Sequence, residues 1–228
     1  MNQFRKLTRV CLISGALAGL VLSLLQHFTV IPLIETAETY ETGRQVDKPG
    51  GEQEHEDQSW QPANGWQRTS LTVLTTVLTG IGFAATLFGL VALTRKSIDA
   101  GRGALWGLAG FICVGLAPAL GLPPLPPGVP VAAVSERQLW WVATAVATAI
   151  GLWLIIGRPS TRVLRVTGVV FLLLPHVIGA PAAAGDSAIP AALLHHFTFA
   201  SLATTGMFWL ILGSIGGFVY KHTEADTR

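Results

Sequence analysis

Six blocks of apolar residues, each near the length that crosses a bilayer, constrain this chain more than any other feature of its sequence. About 30 Å of hydrocarbon takes roughly 20 helical residues at 1.5 Å each. The blocks run over about 10–34, 69–94, 103–122, 138–157, 163–180 and 197–219, and the fifth is the shortest. Lipid offers backbone N–H and C=O groups no partner, so apolar blocks of this length fold as helices. The expected fold class is an all-α integral membrane protein, a single transmembrane domain over 1–228, with a helical bundle of about six transmembrane spans and five as the alternative. Only 12% of the residues are charged, about half the share in a soluble domain, which points the same way.

The first block follows Arg5, Lys6 and Arg9, as a secretory signal would. Its apolar run is about twice a signal's usual core, so an uncleaved anchor is expected. Cys11 and Cys113 fall inside predicted spans and read as packing residues.

Basic residues set the orientation, because cytoplasmic loops keep an excess of Lys and Arg. Arg5, Lys6 and Arg9, then Arg95, Lys96 and Arg102, then Arg158, Arg162 and Arg165, and finally Lys221 all fall on one side of a six-span chain. Both termini are therefore expected in the cytoplasm. The net charge of +2 consists of these topology signals, and no basic stripe with interleaved aromatics suggests nucleic acid.

Three segments are then external. Residues 35–68 form an acidic external loop with EQEHED around His55, residues 120–138 are proline-rich and extended, and residues 181–196 carry Asp186 and end in His195 and His196. The last four blocks also echo one another. Pro118-x-x-Gly121-x-Pro123 corresponds to Pro175-x-x-x-Gly179-x-Pro181, and WLIIG at Trp153–Gly157 to WLILG at Trp209–Gly213. Paired Gly/Pro interruptions at membrane depth mark transport cavities, because broken backbone needs partners other than lipid.

The polar side chains cluster toward the external side. His27 lies in the upper part of the first block, His176 follows Pro175 near the end of the fifth, and His195 and His196 precede the sixth. Glu35, Glu38 and Glu41 are spaced i, i+3, i+6 after the first block. If the helix continues, Glu38 stands eleven residues past His27 and within about 20° of its face. Carboxylates above and imidazoles below suit a divalent cation shedding water, with nitrogen ligands favouring transition metals over Mg or Ca. The ordinary alternatives are a hydrated helix end for the acids and the headgroup region for His195 and His196. His27 and His176 lie deeper, where a polar side chain is costly unless paired or facing a cavity. There is no G-x-x-x-x-G-K-[ST], G-x-G-x-x-G, H-E-x-x-H or G-x-S-x-G, so an enzyme is not expected.

PLIETAETYE (Pro32–Glu41), GLAPALGLPP followed by PG (115–124, 127–128), RQLWW (Arg137–Trp141), PHVIGAP (Pro175–Pro181) and FWLILG (Phe208–Gly213) together resemble the CbtA-type cobalt transporter subunit family over nearly the whole chain. The resemblance implies a membrane subunit of a cobalt uptake system associated with cobalamin synthesis, in a bacterial inner (plasma) membrane. It further implies a small single-span His-rich partner of the CbtB type. It matches Glu38 and Glu41 to the family's acidic patch and His176 to its Pro-His. Two departures stand out: Leu125 replaces an acid in PPLPPG, and Pro190-Ala-Ala-Leu193 lacks the usual Glu. The family is described with five spans.

The functional expectation is a divalent transition-metal uptake subunit, with Glu35, Glu38, Glu41, His27, His176, His195 and His196 as metal candidates. Cobalt or a similar cation would be cargo, with no permanently bound cofactor. The rival is a non-transporting scaffold that packs a small partner through small-residue faces such as GALAG and GLAG.

Overall fold

The computed structural model describes residues 2–46, 65–157, 161–182, 185 and 187–225. His55, Asp186 and Arg158, singled out in the sequence, lie outside them. The described elements are all helical: α1 (Asn2–Thr29), α2 (Ile31–Val46), α3 (Trp66–Leu93), α4 (Ala100–Phe111), a π turn (Ile112–Leu116), α5 (Ala117–Ala119), α6 (Val134–Ile156), α7 (Arg162–Ile178) and α8 (Ala191–Ala225).

Five helices are long and apolar enough to cross a membrane: Gln3–Thr29, Trp66–Leu93, Ala100–Ala119, Val134–Ile156 and Ala191–Thr223. The expected crossing at 163–180 is the one that differs. It is the helix α7, and its 17 residues cover only about 25 Å. It lies antiparallel to α6, with Gly151 against Gly168 at one level and Trp140 against His176 at another. The chain thus returns beside α6 to the end from which α8 starts.

The expected loop at 35–68 also begins later than the sequence suggested, because helix persists to Val46. Pro32 cannot donate to the Phe28 carbonyl, and this interrupts the ladder between α1 and α2 without ending the helical course. The Leu33 and Ile34 N–H groups both turn to the Val30 carbonyl, each at 3.1 Å.

Glycine sets how closely the spans approach. Gly15 and Gly19 on α1 face Gly80 and Val77 on α3, where a Cβ on Gly19 would lie 2.7 Å from the Val77 Cα. On α4, a Cβ on Gly103 would meet the Gly213 carbonyl oxygen of α8, and one on Gly107 would meet that of Trp209. Without a hydrophobic drive between helices in lipid, such backbone approach supplies dispersion contact directly. α8 packs between α1 and α4, and α3 lies along α1. Val10, Ala18, Ala84, Phe88, Val91 and Leu212 are fully buried where these helices meet.

α6 and α7 form a hairpin that joins this group through the π turn and α5. The four helices that echo in sequence therefore pair crosswise, α4 with α8 and α7 with α6. The glycines that make the two contacts do not occupy corresponding positions.

Both chain ends meet at one end of the bundle, where the Lys6 ammonium sits 3.5 Å over the Tyr220 ring. There Asp99 caps α4, accepting a bond from the Arg102 N–H at 2.9 Å. That bond holds its carboxyl below the usual range, helped by the charges of Arg102 and Lys221. At the opposite end the Thr198 hydroxyl donates to the Pro124 carbonyl at 2.9 Å, tying α8 to the proline-rich connection. Gly121 packs there on Trp140 and Ala180, where a Cβ would stand 2.5 Å from the indole.

Candidate functional site

The end with the proline-rich loops also carries the acids. Glu38 on α2 is half-buried, and the Arg68 guanidinium at the start of α3 donates to its Oε1 at 3.3 Å. Glu35 is exposed. Glu41 is on α2, with its side chain outside the described set.

From Arg68 a line of hydroxyls descends α3. At about 100° per residue, Thr72, Thr75 and Thr79 stand within about 40° of Arg68, and Thr79 lies about 16 Å deeper. Thr72, Thr75 and Thr79 are exposed, and the line borders an open cavity of about 370 Å³ between α1, α3, the π turn, α6 and α8. Its polar lining is Gln26, Thr75, Thr76, Thr79 and Thr205. Thr76 donates to the Thr72 carbonyl at 2.8 Å. Toward the chain ends, Phe83, Phe208 and Trp209 line the cavity and pack edge-to-face or tilted, with centroids 5.0 to 6.2 Å apart.

The π turn forms the cavity's remaining wall through Val114 and Gly115. Pro118 has no N–H for the Val114 carbonyl four residues earlier, and the Ala117 N–H donates to Ile112, five residues back. A π turn of this kind widens the backbone, and at membrane depth a broken ladder lines a cavity.

A second, apolar groove of about 510 Å³ lies between α6 and α7, lined in part by Glu136, Trp140, Pro175 and Pro181. His176 is half-buried beside it, its ring edge-on to Trp140 at 6.0 Å. The Trp140 indole N–H is buried without a hydrogen-bond partner among the described residues. Both helix interruptions noted in the sequence, at Pro118 and at Pro175, therefore border cavities.

The histidines are spread out. His27 is exposed, its ring 5.2 Å from that of Phe28. His195 and His196 are exposed in the first turns of α8. α2 packs against α8, so the acids and this His pair sit on neighbouring helices. Among the described residues, no three His, Cys, Asp or Glu side chains come together as a group able to hold a metal ion.

Sequence reasoning missed Gln26, Thr75, Thr79 and Thr205. The signal for the two α3 positions was present in LTVLTTVLTG, where Thr72, Thr75, Thr76 and Thr79 follow the i, i+3, i+4, i+7 spacing of one helical face. Threonine is common in spans as a residue satisfied by its own helix, and this concealed the pattern.

Five long apolar helices, packed closely through glycine, define a polytopic membrane protein. The model of the CbtA family, described as a probable cobalt transporter subunit, matches residues 4–221. The chain belongs to that family, and a subunit implies at least one partner. No curated protein and no solved structure matches it.

Proposed function

We propose that the chain is the membrane subunit through which cobalt, or a divalent transition-metal cation like it, enters a bacterial cell across the inner membrane. The Glu38 end is the external mouth, and Glu35, Glu38 and Glu41 raise the local cation concentration there. His27, His176, His195 and His196 are the nitrogen donors near the path, and cobalt is cargo, not a resident cofactor. The chain ends and the basic clusters at Arg5–Arg9, Arg95–Arg102, Arg162–Arg165 and Lys221 lie in the cytoplasm, whereas Arg68 stands at the mouth.

One observation carries this reading: the half-buried Glu38 carboxylate, paired with Arg68, stands at the head of the α3 hydroxyl line that runs into a membrane-depth cavity. The membrane potential favours entry of a divalent ion by about 4.6 kcal/mol per 100 mV, twice the value for one charge, so no hydrolytic engine is required. The partner is a small, single-span, His-rich membrane subunit that hands over or receives the ion.

A scaffold role is the second reading. It is favoured by the outward face of α7, where Val163, Val166, Leu173, Val177 and Ile178 are exposed, which suits packing against another membrane helix. Labelled-cobalt uptake by cells expressing the chain, alone and with a small His-rich partner, separates the two. Uptake that falls in Glu38→Ala while insertion is unchanged supports transport, and no uptake in either arrangement favours the scaffold.

A further inference from the structure

We infer that the cavity bordered by Gln26, Thr79 and Thr205 is the mid-membrane cation site, and that it holds the ion with its water shell intact. This inference rests on the transport reading.

The donor set leads to this view. A bare transition-metal ion needs several imidazole, thiolate or carboxylate ligands, and the described residues bring no three of these together. The cavity instead offers neutral oxygens from three helices: the Gln26 amide on α1, Thr75, Thr76 and Thr79 on α3, and Thr205 on α8. Water bound to a divalent cation is a strengthened donor, and its natural partners are hydroxyl and amide oxygens acting as acceptors. Thr76 already gives its proton to the Thr72 carbonyl, so its oxygen is left to accept.

Size agrees. Six coordinated waters at about 30 Å³ each occupy about 180 Å³, and the cavity, open on the side of the exposed Thr75 and Thr79, offers about 370 Å³. An ion with one water layer fits, with room for further bridging water.

The walls are arranged for a charge that keeps its waters. The π turn interrupts backbone bonding along one side, and Trp141, Phe83, Phe208 and Trp209 border the rest. Aromatic faces attract cations without replacing coordinated water. Keeping the shell also avoids the cost of dehydrating a divalent ion inside a low-dielectric bundle. The oxygens lie between the Arg68–Glu38 rim and the aromatic cluster, so a hydrated ion pauses above the cluster before passing it.

The test uses hexaamminecobalt(III), an exchange-inert ion of about the size of a hexaaqua cation that cannot accept protein ligands. Two measurements are made with it. One is competition with labelled cobalt(II) uptake in cells expressing the chain and its partner. The other is equilibrium binding to the purified chain in lipid nanodiscs. The expected result is competition and binding in the wild type, and a loss of about tenfold in both for Gln26→Leu and for the double variant Thr75→Val, Thr79→Val. Thr79→Ser, which keeps the hydroxyl, stays near wild type and separates lost oxygen from lost packing. Cobalt(II) uptake that resists excess hexaamminecobalt(III), or that is unchanged in the Leu and Val variants, overturns the hydrated-ion site and leaves the transport reading standing. Absence of cobalt(II) uptake in every arrangement overturns both.

Discussion

The Arg68 guanidinium stands 3.3 Å from the Glu38 carboxylate and joins the start of α3 to α2 above the membrane-depth cavity. The two side chains are 51% and 42% exposed, so water screens the pair and it contributes at most about 1 kcal/mol to stability. On the proposed uptake path the pair also acts on an incoming cation, because Arg68 cancels part of the attraction of Glu38. Arg68→Gln is expected to lower the cobalt concentration for half-maximal uptake about threefold, and Glu38→Gln to raise it by a similar factor. Both shifts should shrink as salt rises from low to physiological strength. Uptake titrations at two ionic strengths check this, and equal responses to the two substitutions would remove the rim from the path.

The packing of α4 on α8 gives a sharper structural test. A Cβ at Gly213 would clash with the Gly103 carbonyl oxygen, and two backbones cannot yield as a flexible side chain can. Gly213→Val should therefore separate the helices and cost about 3 kcal/mol, the upper part of the usual overpacking range. Gly82, which has open space around its would-be Cβ, serves as the control, and Gly82→Ala should be neutral or slightly stabilising. Thermal unfolding in detergent compares them.

At the other end of the bundle, Asp99 makes stability depend on pH. Its carboxyl titrates below the ordinary range, first because it accepts the Arg102 N–H and then because of the charges of Arg102 and Lys221. A group whose folded value is depressed contributes fully above its unfolded value, and that contribution fades as pH falls through the folded value. The expected outcome is a melting temperature that declines below about pH 4, near the ordinary Asp value, more steeply in wild type than in Asp99→Asn. Asn still caps a helix but does not titrate. Parallel pH profiles of the two proteins that do not diverge would remove Asp99 from the acid response.

Much of the fold was legible because hydrocarbon leaves the backbone little choice. Apolar blocks of the required length gave the helices, and the Gly/Pro interruptions pointed to both cavities. The shortfall of α7 was visible in its block, the shortest of the six. The acids that follow the first span were harder to read. Glu35, Glu38 and Glu41 fall in the loop expected from residue 35, although their spacing also suits a continued helix, and the helix does pass Pro32, with both the Leu33 and Ile34 N–H groups reaching the Val30 carbonyl. Histidine drew attention as the familiar metal ligand, but exposure at His27, His195 and His196 depends on tertiary packing that one sequence does not encode locally. The oxygen lining of the cavity was in the sequence as a helical threonine spacing. It gained meaning only when Gln26 and Thr205 arrived from other helices.

The π turn offers the most direct link between local backbone and transport. Pro118 removes the donor that the Val114 carbonyl would otherwise have, and the turn that results places Val114 and Gly115 on the cavity wall. Pro118→Ala restores an N–H and lets α4 continue as a regular helix into α5, narrowing that wall. The side chain of Pro118 is fully buried, so the variant also loses some packing volume. The regained hydrogen bond, about 1 kcal/mol, offsets part of that loss. Stability should therefore stay within about 1 kcal/mol of wild type, while cobalt uptake falls several-fold. Uptake that stays at wild-type level, with a circular-dichroism signal indicating added helix, would separate the π turn from the ion's path.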